Sequence, residues 1–242
     1  MNYSKIYLMG DIHGDFYIIE RRLHTLEEGS LLIQVGDFGV GFRPASEKSH
    51  FEEINKILEK KNITLYVIRG NHDDPSLFGT THGRIHLLED YTFENINGKD
   101  WLFIGGATSI DRIFRRAGTN YWPEEKLNCQ LQKVKKCDVL VTHSAPAVCA
   151  PHDDSASLWN VITMFVPEIH TNERCMLHNE LAEERQRLTE IFEKAKPSHL
   201  YYGHFHFKEK EIVNGCYCRL LHCNEIETFS DAIPYTNDLK IN

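Results

Sequence analysis

Five short apolar runs of this 242-residue chain each end in a cluster of metal-binding residue types. The clusters read Gly10-Asp11-Ile12-His13-Gly14, Gly36-Asp37, Gly70-Asn71-His72-Asp73, Thr142-His143 and Gly203-His204-Phe205-His206. The runs before them, residues 5–10, 31–36, 63–69, 138–142 and 198–202, are rich in Ile, Leu, Val and Tyr without a polar alternation. That pattern suits strands buried on both faces, as in a parallel sheet. Helical stretches at 15–28 and 47–60 separate the first three, which predicts right-handed βαβ crossovers. In an open α/β sheet the crevice outside the carboxyl ends of the strands is where ligands bind, so five distant clusters can converge on one site.

The residue types state what such a site can hold. Asp11 and His13 are two apart and, if the strand pattern persists, point to one side. A carboxylate such as Asp37 can bridge two cations, whereas a neutral imidazole offers one lone pair to one metal. With Asn71, His143, His204 and His206 the set reaches seven candidate ligands, all imidazole nitrogen or hard oxygen. This mixture suits Mn, Fe or Zn and argues against a structural cysteine-type zinc site. Two cations about 3.5 to 4 Å apart clamp a phosphoryl oxygen and lower the pKa of water between them, which makes phosphoester hydrolysis the expected chemistry. A lone Asp-x-His at a strand end is usually a turn beside a solvated histidine. Five such clusters in series are what set that reading aside.

The series GDIHG, GDFG, GNHD, THSAP and GHFH, in order across residues 10 to 206, resembles the calcineurin-like metallophosphoesterase superfamily. The resemblance implies that Asp11, His13, Asp37 and His206 bind one divalent metal ion and that Asp37, Asn71, His143 and His204 bind the other, with Asp37 as the bridge. Mn is the expected metal, with Fe, Zn or Ni as the other candidates. It also implies attack of a metal-bound hydroxide on phosphorus, with His72 assisting the leaving oxygen as general acid, oriented by Asp73 or Asp74. Members acting as protein serine/threonine phosphatases continue the second motif as GDxVDRG; here the stretch runs Gly36-Asp37-Phe38-Gly39-Val40-Gly41-Phe42-Arg43, with its arginine displaced. That displacement speaks against a protein phosphatase, which stands as the alternative among enzymes; in another class the alternative is a non-catalytic binding module of the same fold. The segment Gly105–Arg112 with Tyr121–Glu125 is similar to one in small bacterial and phage-type metallophosphoesterases.

Turn chemistry completes the architecture. Asn97-Gly98 and Asn214-Gly215 are two-residue hairpin turns, joining runs 91–96 to 100–104 and 209–213 to 216–221. The chain is thus expected to be α/β, with two mixed β-sheets flanked by helices, which is also the four-layer αββα sandwich that the resemblance implies. In residues 178–195, Leu181, Leu188, Ile191, Phe192 and Ala195 form an apolar helical stripe, and a further helix is expected from Trp122-Pro123-Glu124-Glu125. One domain over 1–242 is expected, with 144–178 as a lid or specificity insertion. Substrate-binding arginines are sought at Arg43, Arg112 and Arg116; residues 106–121 also carry Asp111 and Arg115.

A net charge of −8 disfavours generic nucleic-acid binding, so the expected partner is a phosphoester, a nucleotide or phosphoprotein among the candidates. No signal-peptide pattern and no run of ~18 apolar residues stands in the sequence, and the expected location is cytoplasmic, with no membrane partner. The seven cysteines are odd in number and irregular in spacing, and are read as reduced structural thiols.

Overall fold

The computed structural model describes residues 2–42, 44–152, 158–232 and 240–241. Strands β1 (Ile6–Met9), β2 (Leu31–Gln34), β3 (Thr64–Val67), β4 (Thr80–His82) and β5 (Ile85–Leu87) build the first sheet. Strands β6 (Thr92–Ile96), β7 (Lys99–Ile104), β8 (Val139–Thr142), β9 (His199–Tyr202), β10 (Glu209–Val213) and β11 (Cys216–Leu220) build the second. Strand β12 (Ile226–Thr228) returns to the edge of the first, and β13 (Lys240–Ile241) closes the second. The orders are β12-β1-β2-β3-β5-β4 and β13-β10-β11-β9-β8-β7-β6. Each sheet therefore has four parallel strands at its centre, β1, β2, β3 and β5 in one and β7, β8, β9 and β11 in the other, with antiparallel neighbours outside them.

The pleat explains the layers. Successive side chains of a strand face opposite ways, so a strand apolar throughout needs cover on both faces. In the first sheet Ile6, Leu8, Leu31 and Ile33 face the other sheet, where they meet Trp101, Phe103, Val139, Val141 and Tyr201. Their alternates Tyr7, Met9 and Leu32 face α1 (Phe16–Thr25) and α2 (Pro44–Lys60), packing with Ile19, Leu23, Ile54 and Leu58. In the second sheet Leu102, Ile104, Leu140 and Leu200 face α4 (Thr171–Ala195) through Leu188, Ile191, Phe192 and Ala195. Burying each such side chain contributes roughly 1.5 to 3 kcal/mol. The result is the four-layer αββα sandwich. The hairpin turn Asn97-Gly98 has φ of 51° and 80°, the two left-handed positions that make Asn-Gly favourable there.

Two elements differ from expectation. Helix α4 begins at Thr171, earlier than residue 178, because Leu177 extends the apolar stripe; it packs with Leu181 against Ile162 and Val166 of the shorter α3 (Leu158–Phe165) and the turn that follows it. The helix expected from Trp122 is only a 3-10 turn, Pro123–Glu125. Propagation would need the carbonyls of Glu124, Glu125 and Lys126 to accept from the following turn. The Arg69 guanidinium takes them instead, at 3.3, 2.7 and 3.0 Å, while its Nη2 also lies 2.6 Å from Asp90. Among the described residues, no helix is long and apolar enough to cross a membrane.

Arg69 is 5% exposed and ties the end of β3 to Asp90 and to the 124–126 segment. Arg69→Met strands a largely buried carboxylate and three carbonyls; urea unfolding is expected to show a loss of about 3 to 5 kcal/mol. A loss below about 1 kcal/mol, the level of an exposed ion pair, would refute this role.

Candidate metal centre

All five clusters follow the carboxyl ends of central parallel strands, β1, β2, β3, β8 and β9. The structure brings the seven candidate ligands together there. His13 Nε2 lies 2.9 Å from His206 Nε2, and His206 Nε2 lies 3.3 Å from Asp11 Oδ2. On the other side His143 Nε2 stands 3.2 Å from Asp37 Oδ1 and 3.1 Å from Asn71 Oδ1. Donor atoms of Asp11, His13 and His206 group with Cys223, and those of Asp37 group with His143 and His204, each group within 4.8 Å. Asp37 also groups with His13 and His72, so its carboxylate stands between the two halves.

The arrangement fits divalent cations. Asp11 and Asp37 are fully buried, and among the described residues neither pairs with lysine or arginine, only with imidazoles. Buried carboxylates need a compensating charge. Burial raises the Asp37 pKa, but His143 and His72 beside it hold it well below the usual range. Burial alone would lower His143, yet Asp37 carries it up to about 9, and Asp11 followed by Cys223 holds His206 up to about 10. The two imidazole nitrogens 2.9 Å apart at His13 and His206 require a proton or a cation between them. A metal satisfies both.

Surrounding groups aim these donors. His143 Nδ1 lies 2.8 Å from the Val35 carbonyl, which places its proton there and leaves the Nε2 lone pair toward Asp37 and Asn71. Asn71 Nδ2 donates to Ser109 Oγ at 3.0 Å, turning its Oδ1 inward. Ser109 in turn donates to buried Glu125, whose pKa burial pushes up to about 7. Four candidate ligands, His13, Asp37, His204 and His206, have φ of 49°, 56°, 71° and 58°. Non-glycine residues in that region cost of order 1 to 3 kcal/mol each and cluster at functional sites. Gly70 lies so close to Asp37 that a Cβ would stand 2.0 Å from its Oδ1. Only glycine fits between the two motifs.

The supports of His72 depart from expectation. Asp73 accepts from the backbone N–H groups of Phe38, Gly39, Val40 and Gly70 at 2.7 to 3.2 Å, and Asp74 accepts from Ser76, so neither orients His72. The backbone N–H of His72 donates to Asp37 Oδ1 at 2.7 Å, its ring stacks on Phe42, and Arg115 Nη2 contacts its imidazole. Burial first, then Arg115 and His13 against the pull of Asp37, brings the His72 pKa down to about 4. Arg115 also donates to the Asn71 carbonyl and to Ser109 Oγ, both at 3.1 Å, and pairs with Asp111.

The other arginines stand elsewhere. Arg112 is held by Glu173 and Glu180 of α4, each at 2.6 Å, Arg116 is exposed, and Arg43 lies outside the described residues. Arg115 is thus the arginine that reaches the centre among those described, and no local signal in the sequence separates it from Arg112 and Arg116. His152 pairs with Glu211 at 2.9 Å. All seven cysteines are free, and the 144–178 connection holds α3, with residues 153–157 outside the described set.

The family model for calcineurin-like phosphoesterases matches residues 4–208. The chain belongs to the calcineurin-like phosphoesterase family. Among solved structures, the phosphopantetheinyl hydrolase of Mycobacterium tuberculosis is similar at 13% identity, covering 96% of this chain and 98% of that one with a TM-score of 0.50. A dimetal phosphatase from Danio rerio is similar at 12% identity over 90% of this chain and 87% of that one, TM-score 0.48. A putative 5'-nucleotidase from Staphylococcus aureus is similar at 11% identity over 92% of this chain but 49% of that one, TM-score 0.48. At 13% identity the likeness to the phosphopantetheinyl hydrolase is one of fold. Among curated proteins, none is a significant match. Divalent metal binding is general in this phosphoesterase family, and the clustered donors of this chain are in keeping with it.

Asp73 is not one of the seven candidate ligands, yet it gathers four amides of the loops that carry Asp37 and Asn71. Asp73→Asn turns an amide donor toward those N–H groups. Divalent-metal affinity, read by calorimetric titration, is expected to fall about 10- to 100-fold. Unchanged affinity would remove Asp73 from the support of the site.

Proposed function

We propose that this chain is a phosphoesterase that hydrolyses phosphomonoesters or phosphodiesters with two divalent cations. Asp11, His13, Asp37 and His206 hold one cation; Asp37, Asn71, His143 and His204 hold the other. The observation that carries this reading is the buried Asp37 carboxylate shared between both donor groups, with no arginine or lysine to neutralise it among the described residues. When bound, a divalent pair supplies Lewis acidity toward phosphoryl oxygens and lowers the pKa of water. Hard and borderline donors suit Mn, Fe or Zn.

The chain's own residues arrange the rest. His13 and His206 stand at the open rim, 30% and 49% exposed, and leave a path for a phosphoester. His72 stands beside that rim with the largely buried Arg115 guanidinium against its imidazole, and Phe42, stacked on His72, meets Trp122 with ring centroids 5.2 Å apart. The guanidinium attracts the phosphoryl oxygens and holds them beside His72. On this reading water adds to phosphorus as the bond to the leaving oxygen breaks, and His72, protonated from solvent, gives its proton to that oxygen.

His72→Ala is expected to lower kcat about 10²- to 10⁴-fold with two metal ions still bound, and Asp37→Asn is expected to lose both metal and turnover. The measurement is a panel of model monoesters, diesters, nucleotides and phosphopeptides, assayed with Mn, Fe, Zn, Ni and Mg after chelation. Full activity in His72→Ala ends this mechanism. Turnover confined to phosphopeptides selects the protein phosphatase alternative, and no turnover on any phosphoester with two metals bound selects a binding module.

A further inference from the structure

The second sheet has one more parallel strand whose carboxyl end opens on the same crevice. Strand β11 runs parallel to β9, and it is followed by Leu221-His222-Cys223-Asn224, a sixth strand-end cluster. Its turn is fastened onto the end of β1. Gly10 N–H donates to the Glu225 carbonyl at 3.0 Å, and Asn224 N–H donates to the Asp11 carbonyl at 2.9 Å. A Cβ on Gly10 would stand 2.1 Å from the His222 carbonyl oxygen, so glycine before Asp11 is what admits this turn. Arg219 clamps it from below through Glu225 at 2.5 Å, while the backbone N–H of His222 donates to Glu225 Oε2 at 2.9 Å.

That fastening delivers the half-buried Cys223 thiol to within 4.8 Å of the donor atoms of Asp11, His13 and His206. The other cysteines have different surroundings. Cys149, Cys216 and Cys218 are buried in the core beneath α4 with Cys137, Cys175 is exposed, and among the described residues only Cys223 groups with candidate ligands. A thiolate is the soft donor that an oxygen and imidazole set lacks, and soft donors favour zinc or ferrous iron over manganese and magnesium.

We propose that Cys223 is a direct sulfur ligand of the cation held by Asp11, His13 and His206, and that it makes that position select a thiophilic metal. The proposal rests on the dimetal reading above, and it distinguishes the two cation positions: sulfur at one, and only nitrogen and oxygen at the other.

Full-length protein stripped with a chelator and reloaded with Co(II) tests it by spectroscopy and calorimetry, independently of turnover. Two cobalt ions are expected to bind, with a near-ultraviolet sulfur-to-cobalt charge-transfer band. Cys223→Ser is expected to lose that band and to lower zinc affinity at one position by at least about tenfold while leaving the other unchanged. Cys218→Ser is expected to keep the band. Cys223→Asp, which restores a ligand of hard type, is expected to recover binding with its preference moved toward Mn(II). Two cobalt ions and phosphoester turnover without a charge-transfer band would overturn the sulfur ligand and leave the phosphoesterase intact. A band that survives in Cys223→Ser would overturn it as well. Failure to take up any cobalt would end both readings.

Discussion

Two carboxylates, Asp11 and Asp37, are fully buried at the ends of adjacent parallel strands, and their ionic partners among the described residues are imidazoles. An ionised carboxylate in such a place costs several kcal/mol unless charge and hydrogen bonds compensate it. Local groups supply part of this. His204 N–H lies 3.1 to 3.2 Å from both Asp11 oxygens, and His72 N–H donates to Asp37. The remaining lone pairs face ring nitrogens of His13, His143 and His206. Protons on those rings are a weak answer to two negative charges, and cations are a strong one. The surrounding loops make sense as devices that hold this electrostatic demand in place.

Those devices are mostly backbone. Asp73 collects four amides, Val35 offers its carbonyl to His143, and four candidate ligands sit at positive φ. Each strained residue costs of order 1 to 3 kcal/mol, so the core must overdetermine them. The three apolar layers above, between and below the sheets provide that rigidity. Strain at the strand ends and dense packing behind them are thus two sides of one arrangement.

This division explains what could be read from residues alone. Apolar runs ending in Asp and His are local signals, so the strands, the hairpins at Asn97-Gly98 and Asn214-Gly215, and the meeting of seven donors were legible. Arg115 was not separable from Arg112 and Arg116, because all three lie in one basic stretch and only tertiary partners sort them: Glu173 and Glu180 for one, solvent for another, His72 and Asn71 for the third. The helix expected at Trp122 had a correct first turn, and a buried arginine from residue 69 claimed its carbonyls. Cys223 stands alone beyond the last histidine motif with no local pattern to mark it, although β11 obeys the same strand-end rule as the others.

The topology adds a last consequence. Asp11, His13, Asp37 and Asn71 follow strands of the first sheet, whereas His143, His204, His206 and Cys223 follow strands of the second. Each donor group draws on both, Asp37 with His143 and His204, Asp11 and His13 with His206 and Cys223. A cation bound by either group would therefore join the two sheets at the end of the inter-sheet core formed around Trp101, Tyr201 and Ile33. Any ligand that binds the folded chain alone stabilises it by RT ln(1 + [L]/Kd), about 2.7 kcal/mol at a hundredfold excess over Kd. Here that stabilisation would act where the two layers meet, so metal affinity and inter-sheet cohesion would be one thermodynamic quantity seen from two ends. The electrostatic cost at this site and the stability a cation would add to it have the same origin, two buried carboxylates that the protein only partly satisfies.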